Sequence, residues 1–161
     1  MFDLVKRGSV AGLAAGFVVA LVVLAYDLFQ MQPLATPTLL AQNASGVPIE
    51  VTGEMGALAW LASALMAGWA LALYGVVHLA VFAVLGIFGA WLFHAAAVPA
   101  NVLTGALFGV TGGSIMFYAA NVLIAPGFAD PPAWGLVAFA NAVAGIVIAS
   151  QLVDTETPAE A

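Results

Sequence analysis

A bundle of four transmembrane helices is the fold this sequence predicts, and three observations lead to it. Of 161 residues, 65% are hydrophobic and only 6% charged, whereas a soluble domain carries about 25% charged residues. Several apolar runs reach or exceed the roughly 20 residues that cross a bilayer as helix. The runs do not alternate in polarity, as the strands of a membrane β-barrel would. The chain is therefore an all-α membrane protein, for which 161 residues make a single domain over 1–153.

The first span covers about 5–29. The only two cations, Lys6 and Arg7, precede it, and the positive-inside rule places this N-terminus in the cytoplasm of a cell whose inner membrane holds the chain. A signal peptide would have an apolar core of about 7–15 residues; this run is longer and reads as an uncleaved span. Residues 30–56 hold Pro33, Pro37, Pro48, Gly46, Gly53 and Gly56 and read as an external loop, with "PTLLAQ" forming a short turn of helix. The apolar stretch 57–97 has no polar turn at its middle. It is expected to divide into an interfacial segment ending near Met66 and a span over 69–94, so that loop and interfacial segment together occupy 30–68. A single long helix is the alternative. Trp60 and Trp69 suit the headgroup zone. Pro99 marks a cytoplasmic turn and Asn101 a cap for the third span, about 101–124. Pro126, Gly127, Pro131 and Pro132 make an external turn before the fourth span, about 132–153. Residues 154–161 form an acidic cytoplasmic tail, so both termini lie inside.

The chain has no cysteine, which excludes disulfides, thiolate metal sites and covalent c-type haem. Its net charge of −6 comes from scattered acids, and nothing is basic enough for nucleic acid. No nucleophile elbow, phosphate loop, zinc-helix motif or paired catalytic carboxylate is present, so no enzymatic activity is expected.

Gly8, Gly12 and Gly16 form one GxxxG ladder, and Gly105, Gly109 and Gly113 another. In lipid the hydrophobic effect does not join helices, so close backbone approach must supply the dispersion contacts. Residues four apart share a helix face, and each ladder is a groove for a neighbouring helix, in this chain or another subunit. Ala138, Ala142 and Gly145 offer a similar seam on the fourth span. The first and third spans also resemble one another: "AGLAAGFVVALVVLAYD" against "TGALFGVTGGSIMFYAAN". A parallel two-plus-two duplication is the corresponding architecture.

Asp27 falls within about 20° of the Gly16 face and near the outer interface, where a carboxylate costs less than at the bilayer centre. It points into the bundle and either accepts hydrogen bonds or snorkels to water. By depth Asp27, Tyr74, His78, Tyr118, Asn121 and Asn141 all fall in the outer half and can converge. Such a cluster serves as interhelical hydrogen bonding, or as an outward-facing site in which Asp27 or His78 titrates. His78 and His94 are about 24 Å apart along one helix and cannot share one iron; no metal site is expected.

The glycine-laddered first span, "YGVVHLAVFAVLGIFGA" in the second, and the Pro131-to-Trp134 stretch before the fourth resemble the small four-helix bacterial inner-membrane proteins of the YagU type. The resemblance implies a fold and a membrane location and carries over no functional residue. The expected function is a non-enzymatic accessory or scaffold subunit of a larger membrane complex, whose partners are the lipid bilayer and other membrane subunits or further copies of the chain. The alternatives are a small proton-linked transporter or channel-like oligomer, and a subunit binding lipid, quinone or pigment, the one cofactor class that the aromatic density leaves open.

Overall fold

The computed structural model describes residues 1–46, 56–124 and 134–153. All regular structure among them is helical: α1 (Phe2–Phe29), α2 (Ala35–Ser45), α3 (Ala57–Ala95), α4 (Val102–Phe108), a π-helical turn (Gly109–Gly113), α5 (Ser114–Ile124) and α6 (Trp134–Val153). Four helices are long and apolar enough to cross a membrane: α1, α3, the α4–α5 unit and α6. The acidic tail, the 125–133 turn with its prolines, and residues 47–55 lie outside the described residues.

Two expectations about 30–68 need correction. The α3 helix runs unbroken for 39 residues, about 58 Å, so no boundary separates an interfacial segment from a span. Proline is absent throughout, and an apolar solvent offers the backbone no hydrogen-bond partner outside the helix; Gly68 and Gly75 are therefore accommodated. The preceding loop contains a full helix, α2, rather than a turn within "PTLLAQ". Pro37 sits in its first turn, where a missing N–H costs nothing.

Helix packing rests on two crossings built from glycine. A Cβ on Gly8 would lie 2.6 Å from the Ile87 Cα, and one on Gly12 would overlap the Phe82 carbonyl oxygen. One on Gly86 would strike the Gly8 carbonyl and come 2.6 Å from the Gly12 Cα. Thus α1 meets α3 backbone to backbone. The second crossing repeats the first. A Cβ on Gly109 would overlap the Asn141 carbonyl oxygen; one on Gly145 would strike the Gly105 carbonyl and come 2.7 Å from the Gly109 Cα. Gly8, Gly12 and Gly16 stand 97 residues before Gly105, Gly109 and Gly113, and Phe82 and Gly86 stand 59 before Asn141 and Gly145. The α1–α3 pair and the α4/α5–α6 pair are two copies of one geometry.

The expected seam on α6 shifts accordingly. Ala138 and Ala142 are only half-buried, and Gly145 is joined instead by Asn141 and Ala149. Those three continue the four-residue ridge that the crossing needs, whereas Ala138 and Ala142 are turned to its edge. The pairs dock through α1 and α6, in a core where Ala11, Ala15, Ala144, Ile148 and Ala149 are at most 1% exposed. Between α3 and α4 the Phe108 ring fills the gap, 5.6 Å from Phe93 and 6.2 Å from Phe88 between centroids, and reaches Gly89.

Asn101 caps α4: its Oδ1 accepts from the backbone N–H groups of Leu103 and Thr104, while Thr104 Oγ1 accepts from the Asn101 N–H. The two copies differ at one place. The interval Gly12–Gly16 is α-helical and Gly109–Gly113 is π-helical. A π turn holds one extra residue, and Thr111 Oγ1 donates to the Leu107 carbonyl at 2.7 Å beside it.

Two outcomes are expected. Gly12→Ala should lower the midpoint of detergent-induced unfolding by the equivalent of about 1–3 kcal/mol, as overpacking does, whereas Gly75→Ala, whose Cβ meets nothing within 4 Å, should leave it unchanged or raise it by up to about 1 kcal/mol; equal losses would refute the backbone crossing. Deleting Gly112 should convert the π turn to α-helix and keep α5 in phase, while deleting Ala14 from α1 should rotate the rest of that helix by about 100°. Spin-label accessibility at Ile115 and at Leu21 reads the two cases, and a phase shift in both would show that the π turn holds no spare residue.

Candidate functional site

The polar side chains predicted to converge are distributed, among the described residues, over four places. Asp27 is only 2% exposed. Its Oδ2 accepts from the Thr36 backbone N–H at 2.9 Å and its Oδ1 from the Thr36 hydroxyl at 2.6 Å. Thr36 is the second residue of α2, whose own N-cap, Leu34, supplies no side-chain acceptor. The carboxylate thus caps α2 from the end of α1, satisfies one of its unpaired N–H groups and sits where the α2 dipole favours a negative charge. It does not snorkel to water. Leaving α1, the chain turns through Met31 at φ 58°, with the Gln32 N–H donating to the Asp27 carbonyl and the Met31 N–H to the Leu28 carbonyl. That turn returns Thr36 to the carboxylate.

His78 lies deeper. Its Nε2 is 3.0 Å from the Gly16 carbonyl oxygen and its Nδ1 3.5 Å from the Tyr74 hydroxyl. A carbonyl only accepts, so Nε2 carries the proton and donates to Gly16, while Nδ1 accepts from Tyr74. The Phe82 ring lies 4.8 Å from the imidazole centroid. Gly16 stands ten residues beyond Lys6, about 15 Å of helix, so this hydrogen bond meets α1 near its midpoint. The same glycine position in the second copy, Gly113, faces Asn141, whose Nδ2 donates to Ser114 Oγ at 3.4 Å. Each crossing therefore ends in one polar pair that ties its two helices.

Tyr118 stacks on Trp134 with centroids 5.6 Å apart, away from the other groups. Asn121 lies within α5, and its side chain falls outside the described residues. No group of three or more His, Asp or Glu among the described residues could hold a metal ion. Sequence reasoning missed Thr36, because nothing local marks a capping partner nine residues from its acceptor, and Gly86, although "LGIFGA" could have signalled a second notch.

The remaining feature is apolar. From the hydrogen-bonded level of Gly16 and His78, eleven residues along α1 lead to Asp27 and eleven along the antiparallel α3 to Ala67. The ten residues before Ala67 extend about 15 Å further. On this overhang and at its base Leu58, Leu61, Leu65, Met66 and Trp69 are exposed, and α2 lies alongside with Leu40 and Ala41 buried. An open groove of about 340 Å³ between the end of α2 and α3 is lined by Ser45, Leu65, Met66, Trp69, Ala70 and Leu73.

No family model, curated protein or solved structure matches this chain. Asp27→Ala should loosen α2 by about 0.5–2 kcal/mol, the usual value of a cap, and Asp27→Asn, which keeps an acceptor, by less. Hydrogen exchange of the α2 amides measures this, and unchanged exchange in the alanine variant would remove the capping role.

Proposed function

We propose that the chain is a non-enzymatic accessory or scaffold subunit of a larger membrane complex, seated in a cell's inner membrane with its N-terminus in the cytoplasm. The observation that carries this reading is the α3 overhang with α2 beside it. Extended apolar surface beyond the membrane-embedded level marks an interaction site on a protein that must remain soluble there. Neither α2 nor α3 contains an Asp, Glu, Lys or Arg, so the partner must present an apolar surface of its own. The glycine ladders are used up within the chain and serve to build the platform.

The competing reading is a small proton-linked transporter or channel-like oligomer. His78, bonded near the midpoint of α1, favours it, but His78 and Asn141 are each occupied in a separate helix-to-helix bond, and the core between α1 and α6 is filled by small side chains. A third reading, a subunit that binds quinone, pigment or lipid, would use the groove beside α2.

Purification in mild detergent followed by native mass spectrometry separates the three. Under the scaffold reading other subunits accompany the chain, and Leu61→Glu with Leu65→Glu strips them away while the four-helix bundle unfolds at its usual midpoint. A chain that travels alone and passes protons after reconstitution would overturn the proposal in favour of transport; a retained pigment or quinone with no protein partner would favour the third.

A further inference from the structure

Lys6 and Arg7, the only cations of the chain, open onto one cleft. It measures about 330 Å³ and is lined by Asp3, Lys6, Arg7 and Val10 of α1 and Gln151 of α6. Among the described residues neither cation has an ion pair or a side-chain hydrogen bond, and Gln151 has none either. An ammonium, a guanidinium and a carboxamide therefore surround one opening with no partner for their donors among the described residues, supplied by two helices whose spacing is fixed by the buried Ala11, Ile148 and Ala149. Asp3 is the one negative group at the rim. Two positive charges against one suit a singly charged anion.

The surface beside the cleft defines the rest of the ligand. Lys6, Val10, Leu13 and Phe17 follow one another at intervals of four, three and four residues, so they share a face of α1, and Val10, Leu13 and Phe17 are exposed. A charged head thus continues into an apolar strip running about 10 Å along the helix. That combination matches an amphiphile with an anionic head and a hydrocarbon tail. Basic pockets between helices at a membrane surface hold phospholipid head groups in this way.

We propose that this cleft binds an anionic phospholipid, its phosphodiester held by Lys6, Arg7 and Gln151 and an acyl chain laid along Val10, Leu13 and Phe17. The site lies at the opposite end of the bundle from the overhang and does not depend on the scaffold reading.

The full chain in non-ionic detergent is titrated with phosphatidylglycerol, phosphatidylcholine or inorganic phosphate, with thermal unfolding and native mass spectrometry as readouts. Phosphatidylglycerol is expected to raise the midpoint and remain as a one-to-one adduct, and the other two are not. Lys6→Gln and Arg7→Gln should each weaken retention about fivefold, the equivalent of about 1 kcal/mol per cation, and Gln151→Leu should weaken it several-fold. All three side chains are exposed, so the lipid-free midpoint serves as the control for folding. Equal retention of phosphatidylcholine overturns the proposal, as does stabilisation by inorganic phosphate to the same degree. Loss with Lys6→Gln and Arg7→Gln but not with Gln151→Leu also overturns it, since diffuse attraction to a basic helix end would then suffice.

Discussion

Direct contact between backbones is the constraint on which the structure depends. In lipid a leucine gains little by leaving one apolar neighbour for another, so dispersion at short range decides which helices associate. Gly12 against Gly86 and Gly109 against Gly145 bring the main chains so close that no side-chain atom fits between them. Everything else is arranged around these two points. The antiparallel pairs set the levels of His78 and Asn141, and the first pair sets how far α3 outruns α1.

The four helices were legible because lipid imposes length and apolarity on each span, and the ladders because a four-residue spacing names a face. The partner of each ladder was not, since a face gives a direction and no identity: Phe82 and Asn141 are opposed to equivalent glycines although one is aromatic and the other an amide. Depth along a helix likewise gives no rotation about the bundle, which is why Asp27, His78 and Asn141 were placed together and are found in separate bonds. The Gly109–Gly113 π turn left no trace in the sequence, because the spacing of its glycines equals that of the regular helix Gly8–Gly16. The prolines marked the turns after α1 and α3, but nothing marked the residues on which the backbone turns. Met31 and Ala97 take left-handed backbone at φ 58° and 50°, where a glycine would ordinarily announce the helix end. The hydrogen bonds from Gln32 to Asp27 and from Val98 to Phe93 hold those residues there.

Polar groups in this protein secure helices to one another at three heights. Asp27 ties α1 to α2 at the end of the span, His78 ties α1 to α3 near the middle, and Asn141 ties α6 to α5. Each bond is worth about 0.6 kcal/mol by the measure of membrane proteins, too little to create the bundle but enough to fix its rotation once glycine has set the distance. The one carboxylate among the three, Asp27, lies at the end of its helix, where a polar group is less costly than at mid-span.

Because one crossing is used twice, the tolerance of the sequence is itself duplicated. A residue of α1 and its counterpart 97 positions later, or a residue of α3 and its counterpart 59 later, meet matching surroundings at the crossings, so a saturation scan of the first half amounts to a forecast for the second. The forecast should fail at the single interval where straight α-helix gives way to the wider turn, and its failure there would map how much sequence freedom one surplus residue confers on a membrane helix.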